Sequence, residues 1–166
     1  MLEATSIGPV LKPLADLLNE RKLTIAVAES CTAGLLASVL SDLPDASSCF
    51  AGGVTAYTVE AKTRTLGISE DVLEKAGAVS DEIARIMAER VRVFFGADLG
   101  LSITCSAGPN PDGGAPVGLT YVAGSLGGRI LCRSFKWNAG RAANRVASVE
   151  AALALAADLL QESPPR

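Results

Sequence analysis

A chain of 166 residues with 49% hydrophobic and 20% charged residues has the composition of one globular domain with a sizeable core, which excludes a disordered chain. A formal net charge of −3, with no basic run and no aromatic stacking platform, excludes non-specific nucleic-acid binding, because no excess cation is available to displace counterions. No apolar run is long enough to span a bilayer, so no membrane association is expected.

Residues 1–10 read as a flexible arm, followed by a helix with Leu14, Leu17, Leu18 and Arg21 at helical spacing. The apolar run Thr24 to Ala28 reads as a buried strand. It breaks at Glu29-Ser30-Cys31-Thr32, and Thr32 to Leu43 reads as a helix with Leu35, Leu36, Val39 and Leu40 on one face, stopped by Pro44. Gly52 to Thr58 is a second strand, and Val59 to Leu66 a helix carrying Lys62. Ser69 and Ser80 sit where helix caps belong, before Glu70-Asp71 and Asp81-Glu82; the second helix runs through Phe95 to Gly96. Leu99 to Thr104 is a third strand. The stretch from Gly108 to Gly114 is a loop. Val117 to Gly124 and Arg129 to Lys136 form a hairpin turning at Leu126-Gly127-Gly128, and a last alanine-rich helix follows Asn138 and ends near Gln161. The tail 163–166 is expected to fray. This order predicts a single domain over 1–166: an α/β fold, a three-layer α/β/α sandwich with a mixed, mostly parallel sheet.

Three polar clusters each follow a strand, and parallel neighbours would bring them to one sheet edge. These are Glu29-Ser30-Cys31-Thr32, then Tyr57-Thr58 with Lys62, then Thr104-Cys105-Ser106 with the glycine loop. Ser30 reads either as a helix N-cap or as a nucleophile whose oxyanion is held by N–H groups at the helix start. The chain contains no histidine. A serine hydroxyl still requires a base, and a neutral lysine can serve, so Lys62 is the candidate, with a pKa lowered by burial or by a second cation. The alternative for Lys62 is a solvated helix lysine. Tyr57 reads as a proton relay or as a packing residue.

Cys31 is a competing nucleophile, but it has no histidine partner. Cys31, Cys49, Cys105 and Cys132 form no C-x-x-C pair, so no metal site is expected; they read as small buried thiols of a cytoplasmic protein without a secretory signal. The loop from Gly108 to Gly118 could hold an anion or be plain surface; lacking a Gly-Lys-Ser/Thr ending, it is no ATP-binding P-loop. Arg141 and Arg145, four apart on the last helix, read as a phosphate clamp or as a solvated face. That helix is also a surface on which a homodimer could form.

The stretch Ala28-Glu29-Ser30-Cys31-Thr32-Ala33-Gly34 resembles the Ala-Glu-Ser-Cys-Thr-Gly-Gly signature of the CinA C-terminal-domain family. Similar segments follow in order: Gly53-Val54 through Tyr57 to Glu60-Ala61-Lys62, Leu66-Gly67, Gly77-Ala78-Val79-Ser80, Met87-Ala88-Glu89, Ala107-Gly108-Pro109 with Pro116-Val117-Gly118, and Gly140-Arg141 with Arg145. They run from about Leu14 to Leu160. The resemblance implies a nicotinamide-nucleotide amidase. Such an enzyme converts nicotinamide mononucleotide to nicotinate mononucleotide and ammonia in pyridine nucleotide salvage, with no metal or cofactor. It implies Ser30 as nucleophile and Lys62 and Tyr57 as its catalytic partners. It also implies substrate-binding positions at Glu29, Cys31, Thr32, Thr104, Gly108, Gly118, Arg141 and Arg145. The departures are Ala33 for a glycine, Val59 for an asparagine, Cys105-Ser106 for a glycine-isoleucine pair, and a loop from Asn110 to Ala115 without the usual lysine before Pro116. They cluster in the substrate loops. A non-catalytic nucleotide-binding or assembly module on the same fold is the alternative they leave open.

Overall fold

The computed structural model describes residues 7–112 and 114–163. In chain order these form α1 (Gly8–Arg21), β1 (Ile25–Glu29), α2 (Leu35–Ser41), α3 (Ala46–Cys49), β2 (Phe50–Thr55), α4 (Val59–Leu66), α5 (Glu70–Ala76), α6 (Asp81–Phe95), β3 (Leu99–Cys105), β4 (Leu119–Leu126), β5 (Arg129–Lys136) and α7 (Arg141–Gln161). The arm expected over 1–10 lies partly outside the described residues, and its described end is ordered: Ile7 is buried and α1 already begins at Gly8. The tail expected to fray lies outside them from 164 onward.

Among the described residues the sheet has five strands in the order β2-β1-β3-β4-β5. The β2-β1-β3 core is parallel, and β4 and β5 close the sheet antiparallel. The fold is therefore the α/β sandwich expected, with a mixed sheet. Period-two alternation explains its layers. From β1, Ile25 and Val27 join Leu99, Leu101 and Ile103 of β3 on the face covered by α1, α2 and α7. Ala26 and Ala28 face the other way, against Ile83, Met87 and Val91 of α6. Large residues fill one side and small ones the other, so α6 comes very close to the sheet. Gly100 marks the nearest point: a Cβ there would overlap the Ala88 carbonyl oxygen and lie 2.6 Å from Arg92 Cβ.

The serine caps expected of α5 and α6 are present, Ser69 accepting from Val72 N–H and Ser80 from Ile83 N–H. The hairpin turns at Gly127 and Gly128 with φ +57° and +85°, the left-handed pair a two-residue turn requires. The helix expected from Thr32 begins three residues later. Ala33 and Gly34 take φ +50° and +95°, which makes Thr32 to Gly34 a turn. Ser30 is thus not the cap of α2. That role falls to the Glu29 carboxylate, which accepts from the N–H groups of Gly34, Leu36 and Ala37 at 3.1, 3.0 and 2.8 Å.

Candidate active site

The parallel core brings the ends of β1, β2 and β3 to one edge. Ser30 directly follows β1, and its N–H donates to Ile103 O of β3 at 3.0 Å, which locks the residue to the neighbouring strand. After β2, Thr58 caps α4 by accepting from Ala61 N–H, so the helix starts close to the sheet edge. Lys62 lies one turn further on, on the inner face of α4. Its side chain is 2% exposed, and its Nζ donates to Ser30 Oγ at 2.9 Å and to Ala56 O at 3.1 Å. Burial pushes the Lys62 amine down from its usual 10.5 to about 8, partly opposed by the negative charge of Asp112. An amine in that range is neutral often enough near neutral pH to accept the proton of a hydroxyl in contact with it.

Two chambers meet at this pair. One, of about 300 Å³, is lined by Ser30, Cys31, Tyr57, Cys105, the Ala107 to Asp112 stretch and Arg141. The other, of about 260 Å³, is lined by Ser30, Tyr57, Thr58, Val59, Lys62, Ala78, Val79 and Asp112. A more apolar pocket of about 300 Å³ around Leu23 and Leu126 lies at the opposite end of the sheet, away from Ser30. Arg141, at the start of α7, donates to Gly108 O at 2.6 Å and to the Tyr57 hydroxyl at 2.8 Å. It thereby ties the C-terminal helix to the loop after β3 and the segment after β2.

Of the residues expected at the site, Ser30, Cys31, Tyr57, Lys62, Gly108 and Arg141 line the chambers. Glu29, Thr32, Thr104, Gly118 and Arg145 do not. The Glu29 carboxylate is spent on capping α2. Thr32 is buried, and its carbonyl accepts from Arg145 Nη2 at 2.7 Å, so Arg145 braces the turn after Ser30 instead of reaching the chamber. Thr104 points to the α6 side of β3 and donates to Ala78 O at 2.7 Å, which fixes a backbone segment of the second chamber. Gly118, at φ +86°, lets its backbone pass Trp137. Asp112 was not singled out from the sequence as a site residue, and as a loop carboxylate it carried no signal of its own.

The expectation of four separate thiols is corrected. Cys31 and Cys105 form a disulfide across the ends of β1 and β3, with Cα atoms 5.7 Å apart. Their register accounts for it: Glu29 pairs with Ile103, so each cysteine stands two residues beyond the same rung. A sulfur in a disulfide carries no thiolate, which removes Cys31 as the competing nucleophile. The cross-link closes a loop of 74 residues. A loop of that length stabilises by about 4 kcal/mol in the chain-entropy model. Dithiothreitol should therefore lower the urea unfolding midpoint of the oxidised protein. Cys105→Ser should show the same lowered midpoint and no further response to reductant. Equal midpoints with and without reductant would show the cross-link to be absent in solution.

Among the described residues no acceptor faces the N–H groups of Cys31 and Thr32. The donors expected at a helix start therefore belong to the turn that precedes it. No cluster of His, Cys, Asp and Glu among the described residues has the arrangement to hold a metal ion, and no described helix is long and apolar enough to cross a membrane.

A family model described as the CinA C-terminal domain matches residues 9–160. A CinA-like protein from Syntrophus aciditrophicus is 45% identical over 145 residues, 84% of this chain and 34% of that protein. A CinA-like protein from Syntrophomonas wolfei is 42% identical over 149 residues, 88% of this chain and 35% of that protein. The chain spans about a third of the length of the curated relatives it matches. Among solved structures, a competence-damaged protein (CinA) superfamily protein from Klebsiella pneumoniae superposes with a TM-score of 0.90 at 27% identity, over 93% of this chain and 98% of that one.

Proposed function

This chain belongs to the CinA C-terminal domain family, and from that premise we propose that it hydrolyses the carboxamide of nicotinamide mononucleotide, or of a closely related nucleotide, to the acid and ammonia. The observation that carries the reading is the buried Lys62 Nζ, 2.9 Å from Ser30 Oγ, in a chain with no histidine.

In this mechanism the neutral Lys62 amine takes the Ser30 proton as Oγ attacks the amide carbon. The oxyanion forms beside the unpaired Cys31 N–H, in a turn braced by Arg145 and by the Glu29 carboxylate. Lys62 then gives its proton to the departing nitrogen, and ammonia leaves. Water, deprotonated by the same amine, hydrolyses the Ser30 ester and restores the hydroxyl. Tyr57 reaches this chemistry through its backbone, since Ser30 Oγ lies 3.4 Å from Tyr57 O while the phenol is held 2.8 Å from Arg141. Its part is to shape the chamber and steady Arg141. Arg141 is the cation placed to meet a 5′-phosphate at the open side. None of these steps requires a metal.

Purified protein given nicotinamide mononucleotide should release ammonia and nicotinate mononucleotide in equal amounts. Acid quench during turnover, followed by peptide mass spectrometry, should find the acyl group on Ser30. No ammonia from this nucleotide or from a panel of nucleotide carboxamides would reject the hydrolysis in favour of a binding module.

A further inference from the structure

Among the described residues, three line both chambers: Ser30, Tyr57 and Asp112. They form the waist between them. An acyl group whose carbonyl carbon reaches Ser30 Oγ therefore has Tyr57 and Asp112 as neighbours on either chamber side. Tyr57 is 48% exposed, and its hydroxyl is held by Arg141, so a ring face is presented in a fixed position. The Asp112 backbone is fixed too: its N–H donates to Ser106 Oγ at 3.2 Å, and it forms a bridge with Ala115. The carboxylate has no hydrogen-bonded or ion-paired side-chain partner among the described residues, yet it acts on Lys62 through its charge.

A carboxylate and an aromatic face on either side of a gap attract a cation and give nothing comparable to a neutral ring. Arg141 borders the first chamber and prefers an anion. The charge pattern therefore fits a zwitterion, with its positive charge in the waist and its negative charge towards α7. We propose that Asp112 is the specificity residue of this site, selecting amides of a cationic heteroaromatic ring, such as a pyridinium, over the same amides on a neutral ring. This rests on the proposed hydrolysis for the position of the amide at Ser30, and it adds the ring's charge as the property selected.

The test uses binding and so stands apart from turnover. The probes are nicotinamide mononucleotide and its dihydro form, which keeps the phosphate, ribose and carboxamide but has a neutral ring. Calorimetry on Ser30→Ala, which holds ligand without consuming it, should show the cationic nucleotide binding about tenfold tighter, the ratio expected from one pairing of this kind. Adding Asp112→Asn, an isosteric change on an exposed loop, should bring the two affinities within about twofold. The loss should fall on the cationic ligand alone. Asp112→Glu should restore part of the preference, and thermal melts of each variant report that the fold is kept.

A preference that survives Asp112→Asn, or none to begin with, overturns the assignment. An Asp112-dependent preference in a protein that releases no ammonia would uphold it and reject the hydrolysis instead. Failure of both nucleotides to bind would reject both.

Discussion

Ser30→Ala and Lys62→Met are each expected to lower kcat of the proposed hydrolysis by at least ~10³-fold, and the double variant to be no worse than the poorer single one. The non-additivity follows from the contact: in the proposed mechanism the serine is activated only by the amine 2.9 Å away, and the water step that the amine also serves exists only once Ser30 has been acylated. Independent losses that multiply in the double variant would show that the two groups do not act as a unit.

Lys62→Met carries a second expectation of opposite sign. Lys62 is 2% exposed, and burial holds its pKa at about 8 against 10.5 when unfolded. Between these values the unfolded chain binds the proton and the native one does not, so this group makes stability rise with pH across that window. Below about 8 both states are protonated, and the full cost of a buried charge is present, about 3 kcal/mol from a shift of this size. Methionine removes that cost and forfeits two hydrogen bonds, to Ser30 Oγ and to Ala56 O, worth about 1 kcal/mol each. At pH 7 the variant should therefore lack the proposed activity and be more stable by about 1 kcal/mol in urea unfolding. That gain should shrink as the pH rises through the window. In the parent protein the rate of the proposed hydrolysis should climb about tenfold per pH unit towards a plateau above about 8, because only the neutral amine is a base. A rate independent of pH between 6 and 9 would remove Lys62 from the role of base.

The second large effect lies away from the chemistry. Gly100→Ala should destabilise the fold by about 3 kcal/mol, a drop of roughly 10 °C in Tm for a domain of this size. The added methyl meets backbone, the Ala88 carbonyl oxygen, and also Arg92 Cβ at 2.6 Å, and neither belongs to the far end of a flexible side chain. Either α6 lifts from β3 or the strand bends. Both movements disturb the Thr104 to Ala78 hydrogen bond, and with it the wall of the second chamber. Gly127→Ala is the comparison: its φ is +57° with nothing within 4 Å, so only backbone strain of about 1 kcal/mol applies. Equal melting temperatures for the two variants would mean that α6 is not seated on β3 at Gly100.

The order of elements was legible because each carries a local signal: apolar runs for β1 and β3, serine caps for α5 and α6, paired glycines for the hairpin. The pairing of Ser30 with Lys62 was legible for a different reason. With no histidine available, and with successive strand ends expected at one edge, few bases remained. What stayed hidden depends on register. Which cysteine meets which, and which way Thr104 points along β3, are decided by pairing between strands more than 70 residues apart, and no local pattern encodes that. The start of α2 was misplaced because its cap is a buried carboxylate from the preceding strand, whereas capping read from sequence looks for a short polar side chain adjacent to the helix. Asp112 enters the site because its loop folds back over the strand ends, and loop paths are the least local property of all.

The contacts that complete the chamber span very different lengths of chain. Ser30 and Lys62 are 32 residues apart, Tyr57 and Arg141 are 84, and Thr32 and Arg145 are 113. On a ribosome, Ser30 and Lys62 have both emerged long before β3, which locks the backbone of Ser30, and before α7, which supplies Arg141 and braces the turn. A nascent chain therefore holds the Ser30–Lys62 pair without the walls of its chamber, which is complete only when the last helix docks. Non-local contacts of this kind form late in folding. Turnover of the proposed substrate in a refolding or translation reaction should accordingly serve as a clock for the final step of assembly, lagging behind any signal that reports the first half of the sheet.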